Sequence, residues 1–597
     1  MKVLASRQET VKEFTWSLED MYATTDQWED DFARVSALLP QLAAFAGTLN
    51  RDGATLLQAL RLHDQLGEML GRLFTYALMR RDEDNTNSAA QAMADRAISL
   101  ANRAASATSF IEPEILAIPQ DQLMAFMQSE PGLALYKHHL DEITRRRAHV
   151  RSAEVEALLA ATGEMHNAPG QIFRMLFDAD LKLPPVHDTE NNEVELTKGN
   201  YRQFLESPQR AVRREAFMAM HTAFRDQRNT FAATLAAQVK ANLFYASARG
   251  YPSAREAVLD QTNIPVSVYD NLLDTVNRNL HILHRYMRLR KRLLQLDKLH
   301  MYDLYVPIVA DVDYHVTFPE AAEIVGQALS TLGEDYAHAL RDAFASRWID
   351  VYENAGKTSG AYSWGAYGSH PYVLLNYQDN LDSMFTLAHE MGHAMHSFYT
   401  WQVQPFTYSN YTIFVTEVAS TLNEALLTAH LLKEWQDPAL RRYIINHALE
   451  SFRTTLYRQA LFAEFEHLIH AYAEHGGALT PEYLCTTFKE LNERYYGPDT
   501  VVDDLAQFEW ARIPHFYTSF YVYQYATGIS ASTALAQQIL TQGQPAVERY
   551  RRFLEAGSSD YSINLLREAG VDMSSPEPIQ QALNVFDHYL DEMERLI

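Results

Sequence analysis

From Leu18 to Leu49 apolar residues recur every three or four positions, in LEDMYATTDQWEDDFARVSALLPQLAAFAGTL. That spacing lines one face of a helix with apolar side chains and predicts helical structure. The same period continues through NTNSAAQAMADRAISLANRAASATSFIEPEILAI, whose small residues suit closely approaching helices. It returns in the long run from Val268 to Leu299. Two stretches break it. Between Leu181 and Ser207, two short apolar segments flank the turn formers DTENNE, which predicts a β-hairpin. Between Lys357 and Asn380, three glycines are interleaved with aromatics and followed by the apolar run Tyr372–Asn376, which predicts a glycine-rich loop and a strand. A helix then starts near Asn380 or Asp382, both suitable N-caps. The expected class is mostly α with small β elements. The expected division is an N-terminal helical region, 1–180, and a catalytic region, 181–597.

Composition narrows the function. A chain of 597 residues exceeds what one core serves. The formal net charge of −25 argues against nucleic-acid binding, which needs positive charge to displace counterions, and against docking on an anionic membrane. Arg145–Arg147 read as a solvated helix face. A single cysteine, Cys485, builds neither an intramolecular disulfide nor a cysteine zinc cage, which suits the cytoplasm. The first twenty residues do not read as a signal peptide, and no window approaches a membrane span.

Candidate chemistry enters at FTLAHEMGHAMHSFYT, Phe385–Thr400. On a helix, positions four apart sit about 40° apart around the axis, so His389 and His393 can aim two imidazoles at one zinc ion. Glu390 lies about 100° round and can stand beside the metal as a general base. The pattern arises by chance in roughly a few per cent of chains this size, so a third ligand is needed. Downstream, VTEVASTLNEALL predicts a buried helix carrying Glu417 and Glu424 seven positions apart on one face. Glu417 is the expected third ligand. Glu424, about 10 Å further along the axis, is expected to hydrogen-bond a ligand histidine instead. His396 is expected to lie behind the ligands or to touch substrate. The metzincin continuation His-x-x-Gly-x-x-His is absent. WARIPHFYTSFYVYQYATGIS holds His515 with Tyr517, Tyr521, Tyr523 and Tyr525; a phenol or imidazole there can stabilise an oxyanion.

HEMGHAMHS, YTIFVTEVASTLNE, SGAYSWGAYG, IPHFYTSFYVYQYATG and ARGYPSAREAVLDQTNIP together resemble the thimet oligopeptidase family of zinc peptidases, most closely its oligoendopeptidase F branch. The resemblance implies an elongated helical body with a deep internal channel, one Zn2+ per chain, and internal cleavage of short unfolded peptides. It implies zinc ligation by His389, His393 and Glu417, and water activation by Glu390. The strand region around Gly360, Tyr362, Gly365 and Tyr367 would pair with substrate backbone. The His515–Tyr cluster, with Tyr523 or Tyr521 foremost and Tyr517 on substrate, would grip the scissile carbonyl. The rival readings are a zinc exopeptidase on a similar fold and a non-catalytic peptide-binding scaffold.

Overall fold

The computed structural model describes residues 4–309 and 314–597. It is mostly helical, with three small sheets among the described residues. The chain forms two compact units, each assembled from three stretches. The first contains Met1–Ala148, Tyr314–Ala429 and Leu535–Gly570; the second contains His149–Asp313, His430–Ala534 and Val571–Ile597. This differs from the single division expected after residue 180. Apolar periodicity tells where helices run but not which distant helices share a core.

In the first unit, helices Thr25–Ala43, Gly53–Glu83 and Ser88–Thr108 pack together. Side chains of Thr24, Asp52 and Asn87 cap them by accepting backbone N–H groups of the first turn. Ala97 and Ala104 on the third helix are buried and let its neighbours close in, while Trp28 fills the centre and donates its indole N–H to the Leu73 carbonyl at 3.1 Å.

The sheet of this unit has three short strands: β1 (Ile349–Asp350), β2 (Tyr362–Trp364) and β3 (Tyr372–Leu374). β3 lies in the middle, parallel to β1 and antiparallel to β2. The register pairs Ser363 with Val373. Val373 donates its N–H to Trp348, on the β1 side, at 2.9 Å. In an antiparallel pair, Ser363 opposite it must therefore turn its own N–H and C=O to the free edge of β2.

Under the sheet sits a buried ion cluster. The Asp350 carboxylate is fully buried and meets Arg7 at 2.5 Å and Lys357 at 2.7 Å; Arg7 also reaches Glu83 at 2.9 Å. Glu83 in turn accepts the Trp16 indole N–H. These contacts fasten the N-terminal segment and the long helix Gly53–Glu83 to β1.

The second unit contains the expected hairpin, Val186–His187 against Glu193–Val194. The Asp188 side chain accepts the Glu190 and Asn192 amides, and Asn191 takes a φ of 64° at the turn. The helical run expected over Val268–Leu299 forms as two helices, Val266–Arg278 and Leu280–Leu293. Asn279 breaks it, using its side-chain amide on the Thr275 carbonyl and on Gln580. Leu299–His300 then pairs in parallel with Thr500–Val501. No helix among the described residues is long and apolar enough to cross a membrane.

Replacing Asp350 by Asn leaves Lys357 buried without its partner carboxylate and Arg7 with Glu83 alone. The expected cost is about 3–5 kcal/mol, read as a lowered chemical-denaturation midpoint.

Candidate metal centre

The motif helix, Leu381–Val403, begins where Asn380 accepts the Ser383 amide at 2.9 Å. It is buried along most of its length, including Met384, Leu387, Ala388, Met391 and Met395. A second helix, Ile413–Glu434, packs against it. The two backbones nearly touch at Gly392: a Cβ there would lie 2.5 Å from Ser420 Cα and 2.6 Å from the Ala419 carbonyl oxygen. Any side chain larger than hydrogen forces them apart. Beside this contact the buried Asn423 donates to the Ala388 carbonyl at 3.1 Å and accepts from the Tyr336 hydroxyl at 3.3 Å. The bond fixes the turn that presents His389.

This packing brings His389, His393 and Glu417 together, with one ligand atom from each lying within 4.8 Å of the others. Glu417 Oε2 stands 3.4 Å from His389 Nε2 and 3.6 Å from His393 Nε2. Tetrahedral zinc, with bonds of about 2.0–2.1 Å, spaces its ligand atoms by about 3.3–3.4 Å. Two imidazole nitrogens and a carboxylate at this spacing therefore fit such an ion. His389 Nδ1 lies 2.6 Å from Glu424 Oε1, so that ring donates to Glu424 and turns Nε2 towards Glu417. Ser420 steadies Glu417 with a hydroxyl bond of 3.0 Å.

The charges are strongly coupled. Burial opposes ionisation of His389, but hydrogen bonds to Glu417 and Glu424 outweigh it and hold the imidazole well above its usual range. Burial would raise Glu417, yet the hydrogen bond to His389 and the nearby imidazoles bring it down to about 2. His393 is pushed down to about 4 by burial. Glu390, 7% exposed, is pushed up to about 7 by burial and accepts the outward Ser363 amide of β2. The donor set thus favours a cation at its centre, with Glu390 alongside.

His396 lies elsewhere. It is 1% exposed and stacks on Tyr411, with ring centroids 3.7 Å apart, against Phe553. Burial pushes it down to about 3 and keeps it neutral. The β2 region is tied into its own unit: Tyr362 donates its hydroxyl to Asp82, Tyr367 donates to the Gln404 carbonyl, and Gly365 makes room for the Trp401 ring. Gly360 turns the chain with a φ of 87°.

His515, Tyr517, Tyr521 and Tyr523 belong to the second unit. His515 and Tyr521 lie with ring centroids 6.0 Å apart, and the Tyr525 hydroxyl donates to that of Tyr521 at 3.4 Å. Tyr523 points the other way, 2% exposed and packed on Tyr269. Tyr521 precedes the helix Tyr523–Gln542, on which Tyr525 lies about 200° round from Tyr523 and so faces the other side. Tyr517 stacks on Phe173 and bonds Thr234 through its hydroxyl.

Gly392, Asn423 and Ser363 are additional residues that shape the site. The signal for Asn423 was an amide in an otherwise apolar or small-residue helix. Gly392 and Ser363 carry no local signal that separates them from ordinary glycines and serines.

The profile of Peptidase family M3 matches residues 203–585, and that of Oligopeptidase F matches residues 114–182. Oligopeptidase PepF of Bacillus subtilis (strain 168) is 49% identical over 594 residues, covering 100% of this chain and 89% of that one. Group B oligopeptidase PepB of Streptococcus agalactiae is 40% identical over 592 residues, covering 99% and 98%. The solved structure of oligoendopeptidase-F from Enterococcus faecium matches with a TM-score of 0.75 at 39% identity, over 96% of this chain and 99% of that one.

Gly392→Ala is expected to spread the two helices and weaken the affinity of this donor set for a divalent cation about 10- to 100-fold, measured by competition with a chelating dye.

Proposed function

The chain belongs to peptidase family M3, and from that premise we infer that it is a metalloendopeptidase cutting oligopeptides at internal bonds, with zinc as its metal. The observation that carries the zinc reading is the convergence of His389, His393 and Glu417 within 4.8 Å, with Glu390 beside them. When bound, zinc supplies a Lewis acid that makes water acidic near neutral pH and polarises the peptide carbonyl.

The remaining steps fall to the protein. Glu390 takes the proton from the attacking water and returns it to the leaving amine. Burial raises the proton affinity of the Glu390 carboxylate, which favours its taking the proton. Glu424 holds the tautomer and direction of His389. His396 braces the motif helix against Tyr411 from within the core. The outer edge of β2, with Gly360 and Gly365 at its turns, receives the substrate backbone; Ser363 offers its outward C=O there, its N–H being held by Glu390. His515 and Tyr521 donate to the carbonyl oxygen as it gains charge, with Tyr525 beside them. Tyr523 supports that segment from the core, and Tyr517 lines it. The partners are short peptides. A chain with net charge −25 and one buried cysteine is assigned to the cytoplasm, without nucleic acid or membrane as partner.

Incubation of the purified protein with a peptide of about ten residues blocked at both ends tests the reading. Mass spectrometry is expected to find internal fragments that disappear with a chelator and return with zinc. Trimming of an unblocked peptide alone would make the protein an exopeptidase. Glu390→Gln is expected to keep zinc and lower kcat by about a thousandfold or more. Turnover at the wild-type rate would remove Glu390 from the mechanism.

A further inference from the structure

The turn that leads into Tyr521 is strained, and one buried acid holds it. Phe520 has a φ of 50°, in the left-handed region that bulky residues rarely adopt. Its backbone N–H donates to Glu466 Oε1 at 2.7 Å. Both residues are 1% exposed. The Phe520 ring is wedged between His470, at 4.6 Å, and Tyr269, at 5.9 Å.

Glu466 comes from the helix Arg458–Glu474. Its second oxygen, Oε2, is buried without a hydrogen-bond partner. Burial pushes the carboxyl up to about 8, so it is mostly neutral at pH 7. A buried acid with no cation beside it is costly to keep. The hydrogen bond it makes is to the amide of a residue in a strained conformation. Without that acceptor, the Phe520 N–H would be a buried orphan, and rotation of φ towards the common region would relieve both problems. Such a rotation would swing the next residue, Tyr521, and the start of the helix Tyr523–Gln542.

We propose that Glu466 is a positioning residue for the His515–Tyr521–Tyr525 cluster, locking the left-handed turn at Phe520 from which Tyr521 is presented. This rests on the reading that His515 and Tyr521 bind the scissile carbonyl. Glu466 touches no substrate; it acts through the backbone of Phe520.

The test measures kcat and KM on the end-blocked peptide for wild type, Glu466→Gln, Glu466→Leu, Tyr521→Phe and the Glu466→Leu/Tyr521→Phe double variant. Zinc content and Tm are followed in each. Glu466→Gln keeps an oxygen for the Phe520 amide and is expected within about threefold of wild type. Glu466→Leu is expected to lose about 10- to 100-fold in kcat with zinc retained. In the Tyr521→Phe background the same change is expected to cost less than about threefold, because the group being positioned is gone. Where Glu466→Leu does not fold, Glu466→Asp takes its place, since it withdraws the carboxyl by one methylene; the same loss is expected. Equal losses in Gln and Leu, or a full loss persisting beside Tyr521→Phe, would reduce Glu466 to a core residue and overturn the inference. Wild-type activity of Tyr521→Phe would overturn the carbonyl-binding role and the inference together. Impaired Tyr521→Phe beside unimpaired Glu466→Leu would overturn the inference alone.

Discussion

The cluster of His389, His393 and Glu417 depends on two helices approaching until their backbones touch. Gly392 sits where that contact occurs, with no room for a single added carbon. His389 and His393 flank it on one helix, and Glu417 and Glu424 flank it on the other. A wider separation would carry both carboxylates away from both imidazoles together. Asn423 acts at the same junction by spending its amide on the Ala388 carbonyl, which would otherwise compete with nothing but its own helix. The geometry of the ligands is thus set by backbone proximity, and the ligand side chains need only short reaches. Short reaches leave few rotamers to lose, so the packing alone orders the cluster.

The electrostatics follow from that proximity. Three carboxylates, the buried Glu390 and the partly buried Glu417 and Glu424, share a small volume with two partly buried imidazoles. The same volume therefore divides its acids. Glu417, beside imidazole nitrogen, stays charged; Glu390, which faces β2, is pushed towards neutrality. Two carboxylates of one cluster thus gain different proton affinities from their surroundings alone.

The sequence made much of this visible. Four-residue spacing put His389 and His393 on one face, and seven-residue spacing put Glu417 and Glu424 on another; the structure has those faces meeting. It also has the hairpin near residue 190 and the strand following the glycine-rich loop. Other features were hidden for definite reasons. A glycine between two histidines looks the same whether its missing side chain matters or not, because what it meets comes from another helix. Tyr521 and Tyr523 look equivalent in a run of aromatics, and only the face each occupies separates them. The interleaving of the two units was out of reach, since each is completed by a stretch near the C-terminus. The helical run through Asn279 reads as continuous by its apolar period, and the break depends on hydrogen bonds to side chains outside it.

That interleaving bears on how the chain is made. The first unit needs Leu535–Gly570 to be complete. From this stretch, Leu554 accepts the hydroxyl of Thr400 on the motif helix and Phe553 covers His396. During synthesis from the N-terminus, the motif helix leaves the ribosome some 150 residues before its cover does. Until then, the side of the helix around His396 and Thr400 lacks its cover. A nascent chain therefore carries the residues of a peptidase for much of its synthesis without the packing that aligns them. The order of segments along the chain therefore delays that packing until Leu535–Gly570 has been made.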